Sequence, residues 1–295
     1  MQLPVETTPT SAALPGTPVS ETALLTRICV SRPYFALDKL RAHEGRFYAT
    51  AAADLPLGRE VGPMSSAEIS RHAAIAGLCG AALAQGDDDR RFYLAQRAEF
   101  YALPSAAPYG TPVSFCAQLE DLNKRSARSS ITASVGDEPL ARLEVSYTIL
   151  TEYAFRRLFR HRARATAPRA RMCAALPGRL SVTDTASYEV PAVPEAACAG
   201  HFASYPALPV ALLVGQLGDT ASHLLATGAF RGVRASVVAS DLCWAGEAAR
   251  FEVRRAPEAF ADERALLATG IAGFDCRVLA GEREVCTAKM LLEPR

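Results

Sequence analysis

The chain lays down one pattern of apolar and polar positions twice. In its first half, residues 46–53 alternate as a strand. Residues 65–85 form a run of alanine and aliphatic residues with helical spacing, and 91–103 alternate again. Three β-rich runs follow at 112–122, 125–135 and 140–150, with Gly136-Asp137-Glu138-Pro139 as the turn between the last two. In the second half, 186–193 is extended, 210–227 is helical, and 231–240, 248–255, 266–279 and 284–292 read as strands. Strand, long helix and antiparallel meander therefore occur twice.

A helix as poor in charge as residues 208–225 must be covered by protein nearly all round. A curved antiparallel sheet wrapped about it achieves this, and two such units can pair edge to edge into one sheet that disposes of their open edges. The predicted class is α+β. A Thr/Pro-rich flexible tail is expected over 1–24, a first unit over 25–150, a basic linker helix over 151–178 and a second unit over 179–295.

Composition narrows the function. At 295 residues the chain can bury one large core or two, and a formal charge of +1 gives no global electrostatic footprint for nucleic acid. The eight cysteines are scattered without a C-x-x-C pair, which argues against a zinc site or a short disulfide framework and predicts no metal. The N-terminus lacks a signal-peptide pattern, and no apolar run is long enough to span a bilayer. The expectation is a cytoplasmic protein.

The sharpest chemical feature is His201-Phe202-Ala203-Ser204-Tyr205-Pro206-Ala207-Leu208-Pro209, a histidine and two prolines that run directly into the second apolar helix. This stretch resembles the H-F-P-G-x-P-x-M-P-G segment of β-hydroxyacyl-acyl carrier protein dehydratases. His201, Phe202, Pro206 and Pro209 match it, while Ala203, Ser204 and Val210 replace a Pro and two Gly. The resemblance, together with the element order, implies a double hot-dog fold, shared with hot-dog thioesterases. It also implies an acyl thioester substrate on acyl carrier protein or coenzyme A, no cofactor, His201 as base, and substrate contacts from Phe202, Pro206, Pro209, Val210 and Ala211.

In the dehydratases the histidine of one unit works with an Asp or Glu on the helix of the other, fourteen residues beyond that unit's own histidine position. Aligning the two halves puts Leu57 and Arg71 at these positions in the first unit, and His201 and Gly215 in the second. One composite site then has neither group, and the other joins His201 to the helix start that carries Glu68, Arg71 and His72. Which of those three is the partner is left open by the sequence. Asp219 and His223, four apart, are read as a buried pair or as part of the emptied pocket. The arginines of 151–178, with Arg156, Arg157 and Arg160 foremost, are a solvated linker or a docking face for an acidic carrier or a phosphate. The leading expectation is a dehydratase or hydratase of β-hydroxyacyl or enoyl thioesters in a specialised fatty-acid-like or polyketide pathway. The alternatives are a thioesterase using a helix carboxylate and a non-catalytic acyl-binding subunit. A tandem supplies its own partner, so a monomeric pseudo-dimer or a loose homodimer is expected.

Overall fold

In the computed structural model, which describes residues 14–164, 175–202, 204–258, 260 and 270–295, both repeats take shape. The first contains β1 (Thr17–Pro18), α1 (Glu21–Arg27), β2 (Asp38–His43), β3 (Arg46–Ala51), α2 (Ser66–Ala84), β4 (Arg91–Ala102), β5 (Val113–Leu122), β6 (Ser126–Val135) and β7 (Glu138–Thr151). A short helix, α3 (Glu152–Leu158), leads towards the second. That repeat contains β8 (Arg179–Val182), β9 (Thr185–Val190), β10 (Ala207–Leu208), α4 (Val210–Ser222), β11 (Phe230–Ala239), β12 (Cys243–Trp244), β13 (Ala249–Arg255), β14 (Ala272–Ala280) and β15 (Arg283–Pro294).

Thirteen strands form one sheet in the order β1-β2-β3-β5-β6-β7-β4-β11-β15-β14-β13-β9-β8. The order β3-β5-β6-β7-β4 in the first unit is repeated, reversed in space, as β11-β15-β14-β13-β9 in the second. The units meet where β4 pairs antiparallel with β11, in the register Phe100↔Ala235, Glu99↔Ser236 and Ala98↔Val237. Ser236 Oγ donates to Glu99 Oε1 across the joint at 2.6 Å. Each sheet half wraps one central helix, and the strands alternate buried and exposed residues as a half-buried sheet requires, most plainly in β3.

The helices start and stop for local reasons. Ser65 caps α2 by accepting from Glu68 N at 3.2 Å, and Glu68 places an acidic group in the first turn. The apolar pattern predicts a second helix to residue 227, yet α4 ends at Ser222. There the bonds shorten to three-residue spacing, with His223 N to Thr220 O at 3.2 Å and Leu224 N to Ala221 O at 3.0 Å. The two helices touch closely: a Cβ added at Gly215 would lie 3.0 Å from Ala67 Cβ. Gly215 is thus the residue that a tight helix crossing demands.

Three expectations are corrected. The part of residues 1–24 that is described contributes β1 to the sheet edge and the start of α1, whose Leu24 is buried at 1% exposure. The basic linker is helical only over Glu152–Leu158 and in a 3-10 turn at Arg160–Arg162. The apolar reason is Phe155, which stacks on Phe92 at 3.6 Å and fixes this short helix against β4. Arg169 and Arg171 lie outside the described residues. Finally, β2 and β8 extend the sheet where no strand is expected from alternation, because these outer strands carry charged and polar residues that mask the period.

In the core, Gly77 of α2 lets the Tyr147 hydroxyl reach the Ala74 carbonyl at 2.8 Å; a Cβ at Gly77 would lie 2.5 Å from the Tyr147 hydroxyl oxygen. Gly77→Ala should therefore lower stability by about 1–3 kcal/mol in urea unfolding, through the lost hydrogen bond and overpacking, despite the better helix propensity of alanine.

Candidate functional site

His201 sits in a turn that the second unit presses onto the first. Ser31 N donates to Gly200 O at 2.8 Å, Phe202 N donates to Cys29 O at 3.1 Å, and Val30 bridges His201 antiparallel. Gly200 adopts φ +79°, and a Cβ there would collide with the Ser31 carbonyl and the Tyr34 amide. Phe202 follows at φ 60°, a left-handed conformation that costs a non-glycine residue roughly 1–2 kcal/mol. Its ring offsets this by packing on Phe92, Phe155 and His201. On the far side, Ala207 and Leu208 of β10 pair with Trp244 and Cys243, and Pro209 caps α4. Pro206 and Pro209 are buried in this scaffold, away from the cavity walls.

His201 Nδ1 lies 2.8 Å from the Ala207 carbonyl, which can only accept, so the proton resides on Nδ1 and Nε2 carries the lone pair. No partner binds Nε2 among the described residues. Burial lowers the imidazole pKa from 6.5 to about 4, so the ring is neutral near pH 7. It faces an apolar cavity of about 180 Å³ between the two units. Phe202, Val210 and Ala211 line that cavity with it, and so do Tyr34, Ser70 and Ala74. Val210 and Ala211, on the same cavity wall, begin α4 with amides that have no helical acceptor: they precede Leu212, whose N–H is the first to bond back, to Pro209 O at 3.0 Å.

Counting from the helix caps, Leu57 and His201 each stand eight residues before Ser65 and Pro209, and Arg71 and Gly215 six after. By this count Arg71 falls where the resemblance to the dehydratases puts their acid, and no carboxylate of α2 lines the cavity. Glu68, Arg71 and His72 do gather, but in a polar cluster inside the first unit and off the cavity wall. Arg71 Nη2 donates to Asp54 Oδ1 at 2.7 Å and lies 3.0 Å from His72 Nε2. Glu68 Oε1 accepts from Asp54 N at 2.7 Å and stands 3.6 Å from His72 Nε2. All three side chains are fully buried. Desolvation, aided by the Arg71 charge, lowers the His72 pKa to about 3, and burial raises that of Asp54. Asp54, Glu68 and His72 offer three ligand atoms within 4.8 Å of one another. The Arg71 guanidinium already stands among them as the cation, which does not fit a metal.

Tyr34 joins the two groups. Its ring centroid is 5.0 Å from that of His201, and the Arg71 guanidinium carbon lies 5.9 Å from the same ring. Sequence reading missed Tyr34 and Asp54. Both lie in irregular segments where no periodicity marks them, and only the fold brings them to the helix. A second cavity, of about 410 Å³, is lined by Arg231 and by Glu60, which accepts from Ser66 N at 3.1 Å and Gly232 N at 3.2 Å; neither Leu57 nor Gly215 lines it. Asp219 is half-buried and His223 exposed, and their side chains do not bond to each other. Arg156, Arg157 and Arg160 are exposed, with Arg156 donating to Glu152 at 2.6 Å. Six cysteines, Cys29, Cys79, Cys198, Cys243, Cys276 and Cys286, are buried with thiol pKa values raised by burial, which leaves them inert as nucleophiles.

The architecture has close counterparts among solved structures. A conserved protein of unknown function with a hot-dog fold from Alicyclobacillus acidocaldarius superposes with a TM-score of 0.54 at 11% identity, over 90% of this chain and 99% of that one. The chain has a tandem hot-dog fold. A protein of Lactobacillus plantarum assigned as an oleoyl thioesterase matches with a TM-score of 0.55 at 11% identity, over 84% and 96% of the two chains. The 12:0-ACP thioesterase from Umbellularia californica matches with 0.51 at 12%, over 86% and 96%. At such identities the likeness is one of fold. No family profile matches the sequence, and no curated protein does. No helix among the described residues of this hot-dog tandem is long and apolar enough to cross a membrane.

Two outcomes follow from the geometry. Gly200→Ala should destabilise the protein by more than about 1 kcal/mol in urea unfolding, since the docked turn offers neither the space nor the φ that alanine needs. Because His201 and His72 have folded pKa values of about 4 and about 3, below the ordinary 6.5, the unfolded chain binds more protons between these values. Their contribution to stability is complete above pH 6.5 and declines as pH falls towards 4, so the urea midpoint should be lower at pH 5 than at pH 7.

Proposed function

We propose that this hot-dog tandem hydrolyses acyl thioesters in the cavity between its units. The observation that carries this reading is the neutral His201 imidazole, whose lone pair faces an apolar cavity with no carboxylate opposite it on α2. Dehydration needs a base for the α-proton and an acid for the departing hydroxyl. Where the dehydratases keep that acid, this chain has Arg71, committed to Asp54. Asp241, a carboxylate that does line the cavity, is exposed and ion-paired with Arg283. Hydrolysis needs less: a base to activate water, and donors for the oxyanion.

His201 Nε2 removes a proton from water as the water oxygen attacks the thioester carbonyl carbon. The first-turn amides at Val210 and Ala211, with the N-terminal end of the α4 dipole, face the negative oxygen that develops. Collapse breaks the C–S bond, and the imidazolium returns its proton to the thiolate, leaving a carboxylic acid and a free thiol. The likeness to thioesterases supports the reading at the level of fold. Arg156 and Arg90 border a surface pocket of about 220 Å³ that shares Phe202 with the cavity. With Arg157 and Arg160 nearby in sequence, this face suits the phosphate of a phosphopantetheine arm, on carrier protein or coenzyme A.

The His-Pro turn favours one second reading, hydration or dehydration of enoyl and β-hydroxyacyl thioesters. Incubation with acyl, enoyl and β-hydroxyacyl thioesters separates the two: free thiol and acid are expected, whereas a mass change of one water with the thioester intact would establish the second reading. His201→Ala should lower kcat/KM for hydrolysis by about 100-fold or more. Activity that survives this substitution unchanged would remove His201 from the mechanism. Because the base is neutral down to about pH 4, the acid limb of kcat/KM should lie well below 6.5.

A further inference from the structure

Resting on the hydrolase reading, we propose that Tyr34 is a second catalytic residue, whose phenolic O–H donates a hydrogen bond to the thioester carbonyl oxygen while His201 activates water. Tyr34 comes from the segment before β2 of the first unit, so the pair would span the pseudo-dimer. Both side chains line the same cavity, their rings 5.0 Å apart and tilted by 57°.

A buried tyrosine hydroxyl normally finds a partner, as Tyr147 does by donating to the Ala74 carbonyl at 2.8 Å on the same cavity wall. The Tyr34 hydroxyl has none among the described residues, although the residue is only 7% exposed. His201 Nε2 is in the same condition, and the two atoms do not bond to each other. Two unsatisfied polar atoms of complementary character, an acceptor and a donor, thus face one apolar space. That arrangement suits a ligand that brings an attacking water for one and a carbonyl oxygen for the other.

The surroundings hold Tyr34 in this posture. The Gly200 backbone closes on its amide, and the Arg71 guanidinium stands over its ring. Arg71 is in turn fixed by Asp54, with Glu68 and His72 beside it. The polar cluster on α2 then has a task although it never reaches His201: its cation favours negative charge building up at the Tyr34 hydroxyl as the hydroxyl donates. Burial pushes the phenol up to about 12, so it keeps its proton and acts as a donor at neutral pH. No proton is transferred from it in the balanced step: water gives its proton to His201, the oxyanion accepts the Tyr34 hydrogen bond, and the thiolate takes the proton back as C–S breaks.

Tyr34→Phe keeps the ring contacts and deletes only an unpartnered oxygen, so the fold should be unchanged. Hydrolysis of octanoyl-pantetheine should then lose about 100-fold in kcat with KM altered no more than about threefold, and the acid limb set by His201 should stay in place. Unchanged kcat would overturn the proposal and leave the hydrolase reading standing. Binding of two inert analogues tests the contact without turnover: an octanoyl-pantetheine ketone, with methylene in place of sulfur, and the octyl thioether, which lacks the carbonyl. The variant should bind the ketone about tenfold more weakly and the thioether equally well. Equal effects on both, or no binding of either by the wild type, would overturn the role of Tyr34. If the wild type releases no thiol from any thioester, the hydrolase reading fails by itself, and a selective loss on the ketone would still establish Tyr34 as the carbonyl donor.

Discussion

The antiparallel pairing of β4 with β11 is the contact on which the rest of this structure depends. Each unit, taken alone, would leave a long strand edge unpaired and one side of an apolar helix uncovered. Joining the edges satisfies both backbone ladders and brings α2 and α4 together beneath the seam, where Gly215 lets the helices meet at Ala67. The cavity is a by-product of that geometry. Two helices crossing under a curved sheet cannot fill all the space between them, and the remainder is walled by residues from both halves, including Ala98 and Val237 of the joint itself.

The same geometry decides what may stand in the cavity. A segment preceding each central helix must cross from the sheet to the helix cap, and in the second unit this crossing is stiffened by Pro206 and Pro209 and pinned by β10 to β12. The turn before it is held by backbone bonds to the first unit, so the imidazole is placed by main-chain contacts that do not involve its own ring. The Ala207 carbonyl then selects the tautomer. The corresponding crossing of the first unit lacks histidine and keeps Glu60, whose carboxylate binds the amides of Ser66 and Gly232 and so ties the start of α2 to β11. One crossing presents a side chain and the other fastens the units together.

Much of this was legible in the chain because hydrophobic period reports the burial of faces. The strand-helix-meander repeat, the charge-poor helices and the turn at 136–139 come directly from it, and Leu57 and His201, like Arg71 and Gly215, stand at equal distances from their helix caps. Where charged side chains interrupt the period the signal fails, as in β2, which carries Asp38, Lys39 and Arg41 around the buried Leu40. The site was half legible. His201 is marked by a motif, and the grouping of Glu68, Arg71 and His72 by helical spacing, but spacing says only that they share a turn. Which way the turn faces depends on Asp54 and Tyr34, and no pattern along the chain announces residues that matter through tertiary contact.

Arg71 shows how a buried charge can hold a loop and a helix together. A guanidinium with 0% exposure is costly unless paired, and removing any partner from such a group strands a buried charge. Asp54 Oδ1 at 2.7 Å supplies the pair, while its amide is held by Glu68, so the loop before α2 is locked to the helix at two points. The arginine turns towards its own unit and stands beside the Tyr34 ring, which in turn meets His201 of the other. On the proposed reading, the polar partner of His201 is thus a phenol on the segment before β2 and not a carboxylate on α2. Donation of a hydrogen bond to a carbonyl is chemistry the phenol can sustain, whereas protonating a departing hydroxide is work its high pKa opposes.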